Sequence, residues 1–234
     1  MPGFAFAADL GKIRNTSSPI VWGLGAVRDP VVKYAFNNSV QYRRPYFYSD
    51  PQFSSGRIED VINFFMQDYD GAVERAESLD LRILQDTASV SAGNEEEYFS
   101  LVSMGARLAL SGFDITYAAA PGEGGIDIKA FMKNTGINDN GQTNDAVAMY
   151  ASLPAFIYLN YTWMGYLLDA SLDYENSLPP QDKFAALPDM GAYPQVTEAN
   201  PGPGSVEDTG YMLIVAAAHA KASGDKRYIQ KYVG

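Results

Sequence analysis

The spacing of apolar residues along the chain changes near Ser55. Before it, "SPIVWGLGAVRDPVVKYAF" is rich in Val, Trp, Tyr and Phe and punctuated by Gly and Pro. That pattern predicts strands and turns over residues 1–55. After it, Ile58, Ile62, Phe65, Tyr69, Val73, Ala76, Leu79 and Ile83 recur every three or four positions. One long amphipathic helix is expected there, with a kink at Gly71. A second helix should open at Asn94, an N-cap type followed by acids that suit the helix dipole, and stop at Ser111-Gly112. The alternating segment "FDITYAAAPGEGGIDIKAFMKNTG" reads as a β-hairpin around a Gly-rich turn. A short helix over "NDAVAMYASL" and a longer one with Pro154 near its first turn are expected next. A long loop over residues 178–204 follows, then helices over 206–222 and 225–232.

This order of elements predicts a mainly α protein, in which residues 1–55 end a β-rich region and residues 56–234 form antiparallel helical hairpins. Long loops at one end of such a structure carry the site. The last helix reaches Gly234 without cap chemistry, so the chain reads as a piece of a longer protein.

Composition narrows the function. With 47% hydrophobic and 13% aromatic residues, the 234-residue chain can bury a large core. A net charge of −11 repels phosphate backbones and anionic membrane surfaces, so neither nucleic acid nor a membrane is an expected partner. With no Cys and one His, thiolate sites, a Cys nucleophile and multi-histidine zinc sites are excluded. No cofactor is called for. No apolar run approaches the roughly 20 residues that span a bilayer. Three sequons, at Asn15, Asn37 and Asn160, are candidate glycosylation sites that point to a secreted, extracellular protein.

The segments "TSSPIVWGLGAVRDPVV", "DVINFFMQDYDGAVERAESLDLRI", "EYFSLVSMGARLAL", "FMKNTGINDNGQTNDAV" and "SVEDTGYMLIVAAAHAKASGD" resemble, in this order, the fungal secreted glutaminase A-type family. The similarity runs over nearly the whole chain and lies in the order and spacing of the motifs. The resemblance implies a β-sandwich-like N-terminal region, a C-terminal toroid of the six-hairpin glycosidase type, and hydrolysis of L-glutamine. It also implies that this chain holds the last strands of the first region and the first part of the toroid. The remainder of the protein, or another chain, is then expected to complete the toroid. The sequence departs from the family pattern at Glu207-Asp208, where Glu-Glu or Glu-Ser is common, so only Glu207 carries over cleanly.

Amide hydrolysis needs a nucleophile, a proton for the departing ammonia and a stabilised oxyanion. The candidate catalytic acids are Glu207, Asp145 and Asp189. Glu207 stands at a helix mouth, where it can act as a base or merely serve the helix dipole. Asp208, three residues after Ser205, fits a capping box. Asp145 is a first-turn acid or, by the family match, a site residue, and Asp189 lies in the long loop with Tyr193 near it. Lys133, Tyr193 and Arg28 are the candidate substrate-binding residues, Arg28 having a local turn pair with Asp29 as its plainer reading. His219, on an apolar helix face, reads as a packing histidine. Glu95, Glu96 and Glu97 read as a solvated first turn, and "GEGG" at 122–125 lacks the Lys-Ser/Thr of a phosphate loop. A small-molecule substrate is expected: glutamine, or a sugar if the acidic, aromatic composition and toroid resemblance point to a carbohydrate-active protein. A non-catalytic interaction protein is the third reading.

Overall fold

A computed structural model describes residues 9–16, 19–36, 39–91, 93–120, 124–136, 141–179, 184–197 and 204–232. Strands β1 (Val32–Phe36) and β2 (Ser39–Pro45) form an antiparallel pair, and no strand precedes them among the described residues. Two short 3-10 turns, Tyr46–Ser49 and Pro51–Phe53, lead into helices α1 (Ile58–Gln67), α2 (Tyr69–Val90) and α3 (Glu95–Leu110). The hairpin β3 (Phe113–Ala119) and β4 (Ile126–Met132) follows as expected, and then α4 (Ala146–Leu159) and α5 (Tyr161–Ser177). The long loop holds a two-residue strand, β5 (Gln195–Val196), before α6 (Val206–Ser223) and α7 (Arg227–Tyr232). The strands assemble into one sheet of order β4-β3-β2-β1-β5, with β5 parallel to β1. The sheet therefore joins segments from both sides of residue 55.

Two expected breaks fall elsewhere. The first long helix breaks at Asp68, not at Gly71. Arg75 reaches back to the Asp68 carboxylate, and a Cβ on Gly71 would lie 3.0 Å from Asp68 Oδ1, so the glycine makes room for this pair inside α2. Pro154 lies inside α4 rather than in a first turn, and the break comes at Asn160, whose Oδ1 accepts from Thr162 N at 3.0 Å. The Asn side chain satisfies one orphan donor at the new helix start, which makes it the stronger punctuation.

Two apolar clusters share β4 and α5. Ala130 and Met132 face α4, α5 and α6 through Met149, Phe156, Leu167, Leu168 and Val215. Phe131, between them and on the opposite face by the period of two, packs with Val32, Tyr34, Ala170 and Tyr174. His219 does pack as a core histidine. It is buried edge-on to Tyr228, and a Cβ at Gly165 would come within 2.9 Å of its Nε2, so α5 and α6 meet at a glycine. Burial lowers its pKa, Asp225 opposing.

The stripe expected to bury α1 and α2 is mostly open: Ile62 is 52% and Phe65 65% exposed, and only Ile83 and Thr87 of these helices are buried. Among the described residues no helix is long and apolar enough to cross a membrane.

Candidate active site

Two loops that the sequence leaves irregular are laced together. Thr143 N donates to Gly191 O at 2.8 Å and Met190 N to Thr143 O at 2.9 Å, while Ala146 N and Tyr193 N reach Pro188 O and Gly141 O at 2.9 Å each. Asn144 anchors them to the sheet. Its φ of 50° lies in the left-handed region that Asn tolerates, and its Oδ1 accepts from Met132 N at 2.7 Å. The next residue, Asp145, is thereby fixed at the mouth of α4, where its Oδ1 caps Ala148 N at 2.7 Å. Asp189 is buried in the facing loop, and its Oδ1 accepts from Gly191 N at 2.7 Å, closing a turn around a glycine with φ 92°.

Lys133 follows β4 and pairs with Thr143 across an isolated bridge. Its stem lies over Gly141, where a Cβ would come within 2.9 Å of Cε. Among the described residues Lys133 makes no ion pair. Lys133 and Asp145 both line a cleft of about 1040 Å³ between α3 and α4, walled by residues such as Val102, Ala106, Val147, Ala151 and Tyr158. Asp145 opens α4 and Tyr158 nearly ends it, so the cleft runs the length of that helix with its polar residues at the loop end.

Arg28 and Tyr193 come together around a residue the sequence did not single out, Asp114 on β3. Arg28 Nη2 donates to Asp114 Oδ2 at 2.9 Å and to the Tyr193 hydroxyl oxygen at 2.7 Å, and the Tyr193 hydroxyl donates to the same carboxylate. The guanidinium lies over the Tyr193 ring, 5.1 Å from its centre. Burial, then the bond to Asp114, pushes the Tyr193 pKa up. The local Arg28-Asp29 turn pair does not form. Asp29 pairs instead with Arg44, at 2.6 Å.

Glu207 is exposed at the start of α6 and accepts from the Tyr211 hydroxyl at 2.6 Å. Tyr211 stacks on Tyr150 of α4 with ring centres 4.8 Å apart. Asp208 does open the helix: Ser205 Oγ accepts from Asp208 N at 2.9 Å and donates to its carboxylate at 2.5 Å. The candidate residues thus fall into three groups. Lys133 and Asp145 share the cleft, and Asp189 shapes the adjoining loop. Arg28 and Tyr193 gather at Asp114, and Glu207 stands apart beside Tyr211. Among the sequons, Asn15 is exposed, Asn160 caps α5, and Asn37 lies outside the described residues.

Two charged clusters escaped sequence reading because their members are far apart in the chain. Buried Lys129 bridges Asp127 at 3.0 Å and Asp173 at 2.8 Å, and fully buried Arg43 reaches Asp127 at 2.7 Å. Burial works to raise the Asp127 pKa, but Arg43 and Lys129 outweigh it and hold the carboxyl below its ordinary value. Glu175, near the end of α5, accepts from Leu187 N at 3.1 Å. Burial pushes its pKa up to about 7, the Leu187 bond opposing and the Asp208 charge adding. Among the described residues, no group of three or more His, Cys, Asp or Glu could hold a metal ion.

Helical hairpins laid against a small sheet, with Asp145 at the start of one helix and Asp189 in the loop that faces it, define a helical-hairpin domain with attached strands. The chain belongs to the glutaminase A family. Its residues 95–234 match the glutaminase A six helical-hairpin domain, and residues 1–86 match a domain of unknown function, DUF5127. It is 25% identical to glutaminase A of Aspergillus oryzae over 99% of this chain and 32% of that protein. It is 28% identical to a probable glutaminase of Arthroderma benhamiae over 88% of this chain and 23% of that one. The chain therefore spans a third or less of the curated relatives it matches. No solved structure matches it significantly.

Proposed function

We propose that the protein containing this chain hydrolyses the side-chain amide of L-glutamine to glutamate and ammonia. Family membership supports the reaction class. The observation that carries the substrate is the meeting of Arg28, Asp114 and Tyr193: a glutamine site must pair an α-carboxylate and an α-ammonium, so it needs a base and an acid side by side. A sugar groove needs a run of aromatic faces instead. The Tyr150–Tyr211 stack beside Glu207 favours that second reading.

In this proposal Lys133 and Asp145 bring a cation and a carboxylate to the loop end of the cleft, where an amide can be polarised. Glu207 is the candidate base for an attacking water, the two-carboxylate route of inverting hydrolases. Asp189 holds the loop that carries Tyr193. The protein is proposed to be secreted, with Asn15, Asn37 and Asn160 as glycan acceptors, and the open apolar faces of α1 to α3 to be covered by the remainder of the protein or another chain.

Glu207→Gln and Asp145→Asn in the full-length protein test these roles. Gln keeps an oxygen for the Tyr211 hydroxyl, and Asn keeps one for Ala148 N, so both variants should fold. The expected result is a loss of ammonia release of at least about a hundredfold in each, with an unchanged melting temperature. Turnover that survives in Glu207→Gln removes it from the mechanism.

A further inference from the structure

Residues 142–144 run antiparallel along the edge of β4 that faces away from β3. Asn134 N donates to Gln142 O at 2.8 Å, Lys133 pairs with Thr143, and Asn144 N donates to Met132 O at 2.8 Å. The Asn144 side chain completes that last pair, its Oδ1 accepting from Met132 N at 2.7 Å. Its Nδ2 reaches Ser171 Oγ on α5 at 3.2 Å and Ala130 O on β4 at 3.4 Å. One buried carboxamide thus ties β4, α5 and the loop that starts α4. Among the described residues, Asn144 alone of the non-glycines has a positive φ, 50°. A left-handed residue costs free energy that its surroundings must offset, and such residues gather at functional sites.

The two residues joined in this way each precede a candidate catalytic group. Lys133 follows Met132, and Asp145 follows Asn144. The two-bond ring between Met132 and Asn144 therefore fixes the points from which Lys133 and Asp145 enter the cleft that both line. The bond to Ser171 sets that ring against α5, and the left-handed backbone turns the chain out of the strand so that α4 can begin at once. Resting on the glutaminase reading, we infer that Asn144 is a positioning residue for amide hydrolysis: through Met132 it sets the separation of the Lys133 cation and the Asp145 carboxylate. Asn144 is 3% exposed and acts through these neighbours, not by touching substrate. Alignment of this kind counts most in the transition state, where a displacement of about 1 Å can cost about a hundredfold in rate.

The test is steady-state ammonia release from L-glutamine by the full-length protein, with kcat expressed per folded molecule. Asn144→Gly allows the same backbone and deletes the carboxamide. It should lower kcat by about tenfold or more and leave KM within about threefold, the mark of an interaction realised only in the transition state. Ser171→Ala, a smaller change that removes one partner of Nδ2, should lower kcat by about threefold, a part of one hydrogen bond. In an Asp145→Asn background, Asn144→Gly should cost less than about twofold further, because the group it aligns is already gone. A loss that multiplies in full in that background places the role elsewhere in the fold and overturns the inference, as does wild-type kcat in a folded Asn144→Gly. Should Asn144→Gly not fold, Ser171→Ala decides in its place: an unchanged kcat overturns the inference, and a loss that vanishes in the Asp145→Asn background supports it. A wild type that releases no ammonia ends the glutaminase reading and this inference together, whereas an active wild type with full turnover in the variants ends this inference alone.

Discussion

Replacing Glu175 by Gln removes a carboxyl that the fold holds in its neutral form. In the unfolded chain this group ionises at the ordinary 4.5, and in the folded chain at about 7, because burial between the end of α5 and the 186–187 loop outweighs the Leu187 N–H bond. Asp208, buried at the start of α6, adds its charge to the effect. Between those two pH values the folded protein holds a proton that the unfolded chain has lost, so stability falls as pH rises through this window and stays low above it. At about 1.4 kcal/mol per unit of pKa, the full penalty above pH 7 is about 3 kcal/mol. Gln keeps an oxygen for Leu187 N and cannot ionise. The variant should therefore melt roughly 6–12 °C above the wild type at pH 8 and at the same temperature as the wild type at pH 4. Thermal unfolding at the two pH values is the assay. An equal difference at both, or a less stable variant at pH 8, refutes the account of this carboxyl.

Lys129→Ala should destabilise by about 3 kcal/mol or more, since it leaves the carboxylate of Asp173 without its cation at a largely buried site. Urea unfolding measures it, and a loss under about 1 kcal/mol would mean the pair is solvated. Gly165→Ala should cost roughly 1–3 kcal/mol, because its Cβ would press to 2.9 Å from buried His219 Nε2. A neutral melting shift in that variant would show that the α5–α6 contact can give way.

The helices and the β3–β4 hairpin were legible because their signals are local: a period of three to four, an alternating run, a cap at Ser205; Asn94 does stand at the start of α3, but its side chain makes no capping bond. The capping box of Ser205 and Asp208 was visible three residues apart. What stayed hidden depends on long-range pairing. Nothing near Val196 announces a strand, since β5 exists only by lying beside β1. Asp114 sits in an ordinary alternating run, and its partners lie 86 and 79 residues away. Gly71 misled because a glycine in a helical pattern signals a break, whereas here it makes room for the Asp68–Arg75 pair one turn earlier. The amphipathic stripe of α1 and α2 was correctly periodic, yet periodicity reports what wants covering and not what covers it. Of the candidate site residues, the sequence supplied chemistry and loop position. Their partition into a cleft, an ion pair beside β3 and a lone helix-start acid needed the fold.

The central proposal is glutamine hydrolysis, and its most direct test is the product balance when L-glutamine is incubated with the full-length protein. The expected result is one ammonia and one glutamate for each glutamine consumed. Glutamine recovered intact after prolonged incubation with the folded protein would contradict it.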